Sequence, residues 1–163
     1  MSFSVSGKTA IVTGAANGIG LAIARHLADH GANVMCADAD EKGLIAELGD
    51  EPEDGNIRTF AGDLRQRLTV ANLVSATIAA FDQIDILVNA SRQLLPTDAL
   101  DVEDDSVSTL LDQNLMTALR LTQFVAKRMI KQEAGQPEGQ IGSIINLSSI
   151  AARQIQPDLM GYA

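Results

Sequence analysis

Three glycines, Gly14, Gly18 and Gly20, fall within one short turn directly after an apolar run, and Asp38 follows Gly20 by 18 residues. That spacing suits the holding of a phosphorylated ligand. Gly14 permits a sharp turn out of a strand, Gly18 lets main chain approach a pyrophosphate, and Gly20 lets the next helix pack closely on a sheet. The N-terminus of that helix then faces the phosphates with its unpaired N–H groups. A carboxylate at Asp38, closing the second strand, can accept hydrogen bonds from the ribose hydroxyls of an adenosine and would repel a 2′-phosphate. No basic residue follows it in Ala39-Asp40-Glu41, so the charge pattern favours NAD over NADP. The competing reading of Asp38 is a solvated cap for the next helix, although Asp40 is the more natural cap.

These groups need a scaffold, and the hydrophobic pattern supplies one. Thr9-Ala10-Ile11-Val12, Asn33 to Ala37, Ile84 to Val88 and Ser143 to Leu147 are short apolar runs of the kind carried by parallel strands buried on both faces, with Ile57-Arg58-Thr59-Phe60 a weaker fifth. Ile19, Ala22, Ile23 and Leu27 form one stripe ahead of Gly31, which predicts a helix from about Gly18 to His30 with a left-handed terminator. Val70, Leu73, Val74, Thr77, Ile78 and Phe81 mark a crossover helix. From Val107 onward, Leu111, Leu115, Ala118, Val125 and Met129 recur at spacings of three and four, with Thr122 a polar interruption. This predicts the longest helix and offers a face for an oligomer. Gly49 to Asn56 and Glu133 to Gly139 read as surface loops, and the acidic Asp98 to Asp105 as a solvated loop leading into a helix start. The alternation implies α/β architecture: a doubly wound parallel sheet with helices on both faces, in one domain over residues 1–163.

Composition narrows the partners. A chain of 163 residues, 46% hydrophobic but only 3% aromatic and without Trp, must build its core from aliphatic side chains packed between helices and sheet. Its net charge of −9 would repel a nucleic-acid backbone or an anionic membrane surface. Cys36 is the one cysteine, set in an apolar run, and reads as a small buried side chain. His26 and His30 lie one helical turn apart but have no Cys or carboxylate placed with them, so no metal site is expected. With no basic leader ahead of a long apolar stretch, and no run of membrane-spanning length, the expectation is a soluble cytoplasmic protein.

Thr13-Gly14-Ala15-Ala16-Asn17-Gly18-Ile19-Gly20 resembles the T-G-x-x-x-G-I-G pattern of the short-chain dehydrogenase/reductase family, and the extended epimerase type is a secondary reading. The resemblance places Gly14, Asn17, Gly18, Ile19, Gly20 and Asp38 around a bound NAD. It also implies an adenine pocket at Asp63, directed to the adenine amino group, and Leu64, beside the ring. An Asp capping a turn is the alternative for Asp63. Ile84-Asp85-Ile86-Leu87-Val88-Asn89-Ala90 is similar to the strand that carries the family's Asn-Asn-Ala-Gly segment, with Asn89 and Ala90 as cofactor contacts. Here the chain reads Asn89-Ala90-Ser91-Arg92, lacking one Asn and the terminal Gly and setting an Arg near the cofactor.

The family's catalytic Asn, Ser and Tyr are matched by Asn114, Ser149 and Tyr162, the last two separated by 13 residues. In the implied reaction Ser149 hydrogen-bonds the oxygen of an alcohol or carbonyl substrate, Tyr162 exchanges a proton with it, and hydride moves to or from the nicotinamide. Asn114 would hold a water. Structural alternatives are a solvent-facing Asn, a Ser in a strand-end turn and a Tyr in ordinary packing. A free tyrosine hydroxyl titrates near pH ~10 and needs positive charge close by to serve as a base at neutrality. The family supplies it from a Lys four residues beyond the Tyr, and this chain stops at Ala163. The expectation is therefore a piece of a longer homodimeric or homotetrameric NAD-dependent oxidoreductase. The rival is a nucleotide-binding or regulatory member of the same fold that has lost the chemistry.

Overall fold

Neighbouring side chains on a strand point to opposite faces, and all five residues of β1 (Thr9–Thr13) are buried, so this strand must be covered on both sides. The computed structural model, which describes residues 4–49, 55–132, 139–154 and 156–163, shows how. β1 pairs in parallel with β2 (Asn33–Asp38) on one side and β4 (Ile86–Asn89) on the other. β3 (Ile57–Ala61) and β5 (Ser143–Asn146) extend the sheet, in the order β3-β2-β1-β4-β5. Ile11 is in register with Met35 and Leu87, and this row packs in one cluster with α3 (Arg67–Phe81) and α5 (Thr117–Gln132) through Val70, Leu73, Leu121, Val125 and Met129. Val12, Cys36 and Val88 form the next row and face the other way, joining Ala24 of α1 (Gly18–Asp29) and Leu44 of α2 (Glu41–Leu48). The expected αβα Rossmann-type sandwich is thus present, and Cys36 is fully buried in it.

Strand bounds match the sequence reading to within two residues. Gly31 ends α1 at φ +81, as a left-handed terminator should. Asp40 caps α2 by accepting a 2.9 Å hydrogen bond from the Gly43 N–H, which removes the cap reading for Asp38. Two helical expectations need correction. α1 buries Gly20, Leu21 and Ala24, whereas two members of the predicted stripe are exposed, Ala22 and, at 61%, Ile19, which the helix presents to the crevice past the end of β1. The longest predicted helix is also broken: α4 (Ser106–Leu110) runs into a π-helical segment (Leu111–Met116) before α5 begins. Val125 and Met129 reach the core as the periodicity implies, but Val107, Leu111 and Leu115 are exposed, since the wider turn rotates them off the α5 stripe. The sequence expectations for residues 50–54 and 133–138 lie outside the described residues.

The order turns at β1, where β2 lies to one side and β4 to the other. At such a point the connections leave in opposite directions and open a crevice beyond the strands' carboxyl ends. β5 is the last strand of the sheet, and Ile145 on it is 48% exposed.

Candidate active site

The crevice begins with the turn that follows β1. Gly14 has φ +68, and a Cβ there would lie 2.9 Å from the Ala90 carbonyl oxygen and from the Ser91 backbone. A Cβ on Gly20 would overlap the Gly14 carbonyl. Both glycines are therefore required by main chain pressed against main chain. Gly18 differs: its φ is +55 and a Cβ would meet nothing within 4 Å, so its exposed side faces open space. Asn17 precedes α1 without capping it, and the first-turn N–H groups have no acceptor within the helix. A concave, amide-lined opening of this kind favours an anion.

Asp38 closes the opening on one side. Its Oδ2 accepts from the Ala16 N–H at 3.0 Å and its Oδ1 from the Asp40 N–H at 3.1 Å, so the carboxylate is moored directly to the glycine turn. On the other side Thr13 Oγ1 accepts from the Ala90 and Ser91 N–H groups at 3.1 and 3.0 Å, holding the segment after β4 against the end of β1. Asn89 is buried, and its Nδ2 donates to Asn146 Oδ1 at 2.9 Å and to Thr122 Oγ1 at 3.2 Å, tying β4 to β5 and α5. Thr122, a blemish in the helical periodicity, is thus a partner for a buried amide.

The far wall is built differently. Asn114 lies in the π-helical segment and clasps one residue of the β4 loop: its Oδ1 accepts from the Gln93 N–H at 2.7 Å and its Nδ2 donates to the Gln93 carbonyl at 2.9 Å. It is not solvent-facing, and both ends of its amide are engaged by main chain. Ser149 follows β5, and its Oγ accepts from the Ala151 N–H at 3.2 Å, starting a 3₁₀ turn (Ile150–Ala152). The segment that ends in Tyr162 hangs from buried Thr97. Thr97 N–H donates to the Asp158 carbonyl at 2.7 Å, while Thr97 Oγ1 accepts from the Gly161 N–H at 3.1 Å and from the Ser106 hydroxyl at 2.8 Å. Gly161 fits only as glycine, since a Cβ would stand 2.6 Å from Thr97 Oγ1.

A cavity of about 770 Å³ joins the two walls, lined by Gly14, Asn17, Gly18, Ile19, Gly20, Asp38, Asn89 and Ala90 on one side and by Asn114, Ser149 and Tyr162 on the other. Asp63 and Leu64 are not among its lining residues. The Arg65 guanidinium grips Asp63, with Nε donating to Oδ1 at 2.9 Å and to Oδ2 at 3.1 Å and Nη2 donating to Oδ2 at 2.8 Å, and holds its carboxyl below the ordinary value. Leu64 is a core side chain, in the cluster with Ile11. Sequence reasoning assigned no site role to Thr97, Ser106, Leu147 or Leu159. Thr97 in particular is an ordinary loop threonine until the fold brings residue 161 to it. A more open depression of about 550 Å³ lies apart from the crevice, among Arg65, Gln66, Arg67, Asp112 and Arg120. Among the described residues no group of three His, Cys, Asp or Glu side chains could hold a metal ion. None of their helices is long and apolar enough to cross a membrane.

The family model described as short chain dehydrogenase matches residues 8–163. The chain belongs to that family. Among the family's curated members, D-threitol dehydrogenase of Mycolicibacterium smegmatis is 39% identical over 156 residues, covering 92% of this chain and 55% of that protein. Diacetyl reductase [(S)-acetoin forming] of Staphylococcus epidermidis is 32% identical over 157 residues, 96% of this chain and 59% of its own. Among solved structures, 3-ketoacyl-(acyl-carrier-protein) reductase from Brucella melitensis, complexed with NADH, superposes with a TM-score of 0.85 at 29% identity, over 98% of this chain and 64% of that one. The short-chain dehydrogenase sheet is therefore present here in a chain that spans a little over half the length of the curated relatives it matches.

Proposed function

We propose that the chain is a single nucleotide-binding unit of an NAD-dependent oxidoreductase that interconverts an alcohol and a carbonyl compound. The observation that carries this reading is one cavity shared by the glycine turn, Asp38, Ser149 and Tyr162. The cradle fits a dinucleotide in three respects: the open side of Gly18, the uncapped start of α1, and a carboxylate anchored beside them. Gly14, Asn17, Gly18, Ile19 and Gly20 would hold the diphosphate, and Asp38 the adenosine ribose. Asn89 and Ala90 would line the nicotinamide end. A negative charge at Asp38 favours NAD, because a 2′-phosphate would stand against it. For Asp63 to meet the adenine it would have to release Arg65, and Leu64, whose side chain is in the core, would offer main chain alone.

When bound, the nicotinamide supplies a hydride donor or acceptor. Ser149 would donate a hydrogen bond to the substrate oxygen and keep its proton, while Tyr162 would give that oxygen a proton in reduction and take one in oxidation. Asn114, which lines the cavity, also fixes Gln93 of the loop after β4. The relatives named above are a D-threitol dehydrogenase, a diacetyl reductase and a 3-ketoacyl-(acyl-carrier-protein) reductase, which supports a secondary alcohol or ketone as the substrate class. The exposed Leu111, Leu115 and Leu119 support an association face, read as that of a homodimer or homotetramer.

Calorimetric titration tests the reading. NAD should bind the chain more tightly than NADP, and absence of NAD binding would overturn the proposal. In a version extended to the relatives' length, alcohol-dependent reduction of NAD should disappear in Tyr162→Phe. The rival reading, a nucleotide-binding member without turnover, draws on Arg92 standing where the family pattern has Gly. Binding without any turnover in the extended protein would favour it.

A further inference from the structure

The crevice contains one formal anion, Asp38, and one formal cation, Arg92, among its lining residues. Their positions are not equivalent. Asp38 is moored by two main-chain N–H groups, whereas the exposed Arg92 makes no hydrogen bond or ion pair among the described residues. Several other cations of the chain are neutralised: Lys8 by Asp85, Arg25 by Glu47, Arg65 by Asp63 and Arg120 by Asp112. Arg92 is left free in a chain whose net charge is −9.

Its backbone position is well fixed. Thr13 Oγ1 binds the Ala90 and Ser91 N–H groups, and the Ser91 backbone lies against Gly14, 2.9 Å from where a Cβ would stand. Arg92 therefore leaves the chain one residue from the phosphate turn, on the same crevice as the uncapped start of α1. A guanidinium presents a fork of donors that matches paired phosphate oxygens. We propose that Arg92 pairs with the diphosphate of the bound dinucleotide, adding a full positive charge to the amide cradle. This rests on the cofactor reading above. It gives a role to the residue by which the segment departs from the family pattern, and it offsets the repulsion that an acidic protein exerts on an anionic ligand.

The chain is titrated calorimetrically with NADH, ADP-ribose and adenosine at low and near-physiological salt, as the unmodified protein and as Arg92→Gln and Arg92→Lys. The expected result is a loss of about tenfold for NADH and ADP-ribose in Arg92→Gln, with adenosine unchanged, since only the first two carry a diphosphate. The salt dependence should weaken in the same variant, and Arg92→Lys should recover part of the affinity. Equal NADH affinity in Arg92→Gln and the unmodified chain would overturn the assignment while leaving the cofactor reading intact. An equal loss for adenosine would overturn it too, by showing a general distortion of the site. If the unmodified chain bound neither NADH nor ADP-ribose, both readings would fall together.

Discussion

The two walls of the crevice are built on opposite principles. On the glycine side, Gly14 and Gly20 are fixed by main chain in contact with main chain and the Thr13 and Asp38 side chains by bonds from main-chain N–H groups, directly above the five buried residues of β1. On the Ser149 and Tyr162 side, the segment after β5 is largely exposed and hangs from one buried threonine and its few hydrogen bonds. The lesson is that position can be set by the sheet or by a latch. The glycine wall shares the stability of the core, while the segment after β5 is held by few contacts and belongs to the less stable part of the fold.

Three substitutions probe that contrast. Gly20→Ala should have the largest effect, because the new methyl has only the Gly14 carbonyl to displace. A loss of about 3 kcal/mol or more, or failure to fold, is expected in denaturant unfolding. A stable Gly20→Ala protein would break the claim that this wall is main chain against main chain. Thr97→Val comes next. It strips the Gly161 N–H and the Ser106 hydroxyl of a buried acceptor, for about 1 to 3 kcal/mol. Its signature should be local: faster amide hydrogen exchange over residues 158–163 with the β1 and β2 amides still protected. Uniform exchange across the chain would merge the two walls into one cooperative unit.

Asp63→Asn should have the smallest effect. Arg65 holds the Asp63 carboxyl below its ordinary value in the folded chain. The ion pair therefore adds stability above the unfolded carboxyl's titration near pH ~4, and that stability is lost as pH falls through the folded value. The pair is substantially exposed, so the gain is slight. Asn at this position should flatten the acid limb of a stability-against-pH curve and leave it nearly unchanged at neutrality. A steep rise in stability at neutral pH would show that Asp63 is instead strained by Arg65.

Much of the glycine wall was legible in the sequence because only certain residue types can occupy it. A glycine between strand and helix, followed by a carboxylate at the end of the next strand, has few other physical uses, and the two fell together around one cavity. The paired rows of β1, β2 and β4 were legible for a similar reason, since strands buried on both faces need continuous apolar runs. The latch was not. Thr97 and Gly161 are 64 residues apart, and a single side-chain to main-chain bond at that separation leaves no periodic trace. Asp63 could be read either as a base contact or as a turn carboxylate, and its neighbour Arg65 takes the carboxylate in this structure. The face of α1 was misjudged at Ile19, because an apolar residue at a cavity mouth has the same pattern as one in a core.

The π-helical segment between α4 and α5 has its own consequence. Leu110 and Leu121 are 11 residues apart, close to three whole turns of an uninterrupted α-helix, and would then look the same way. Here Leu121 belongs to the core cluster under the sheet, while Leu110 belongs to neither cluster and lies beside Gly161, ahead of Tyr162. The wide turn works as a phase shifter between two gears, letting one continuous rod mesh with the sheet along its later half and with the loop that carries Gly161 along its first.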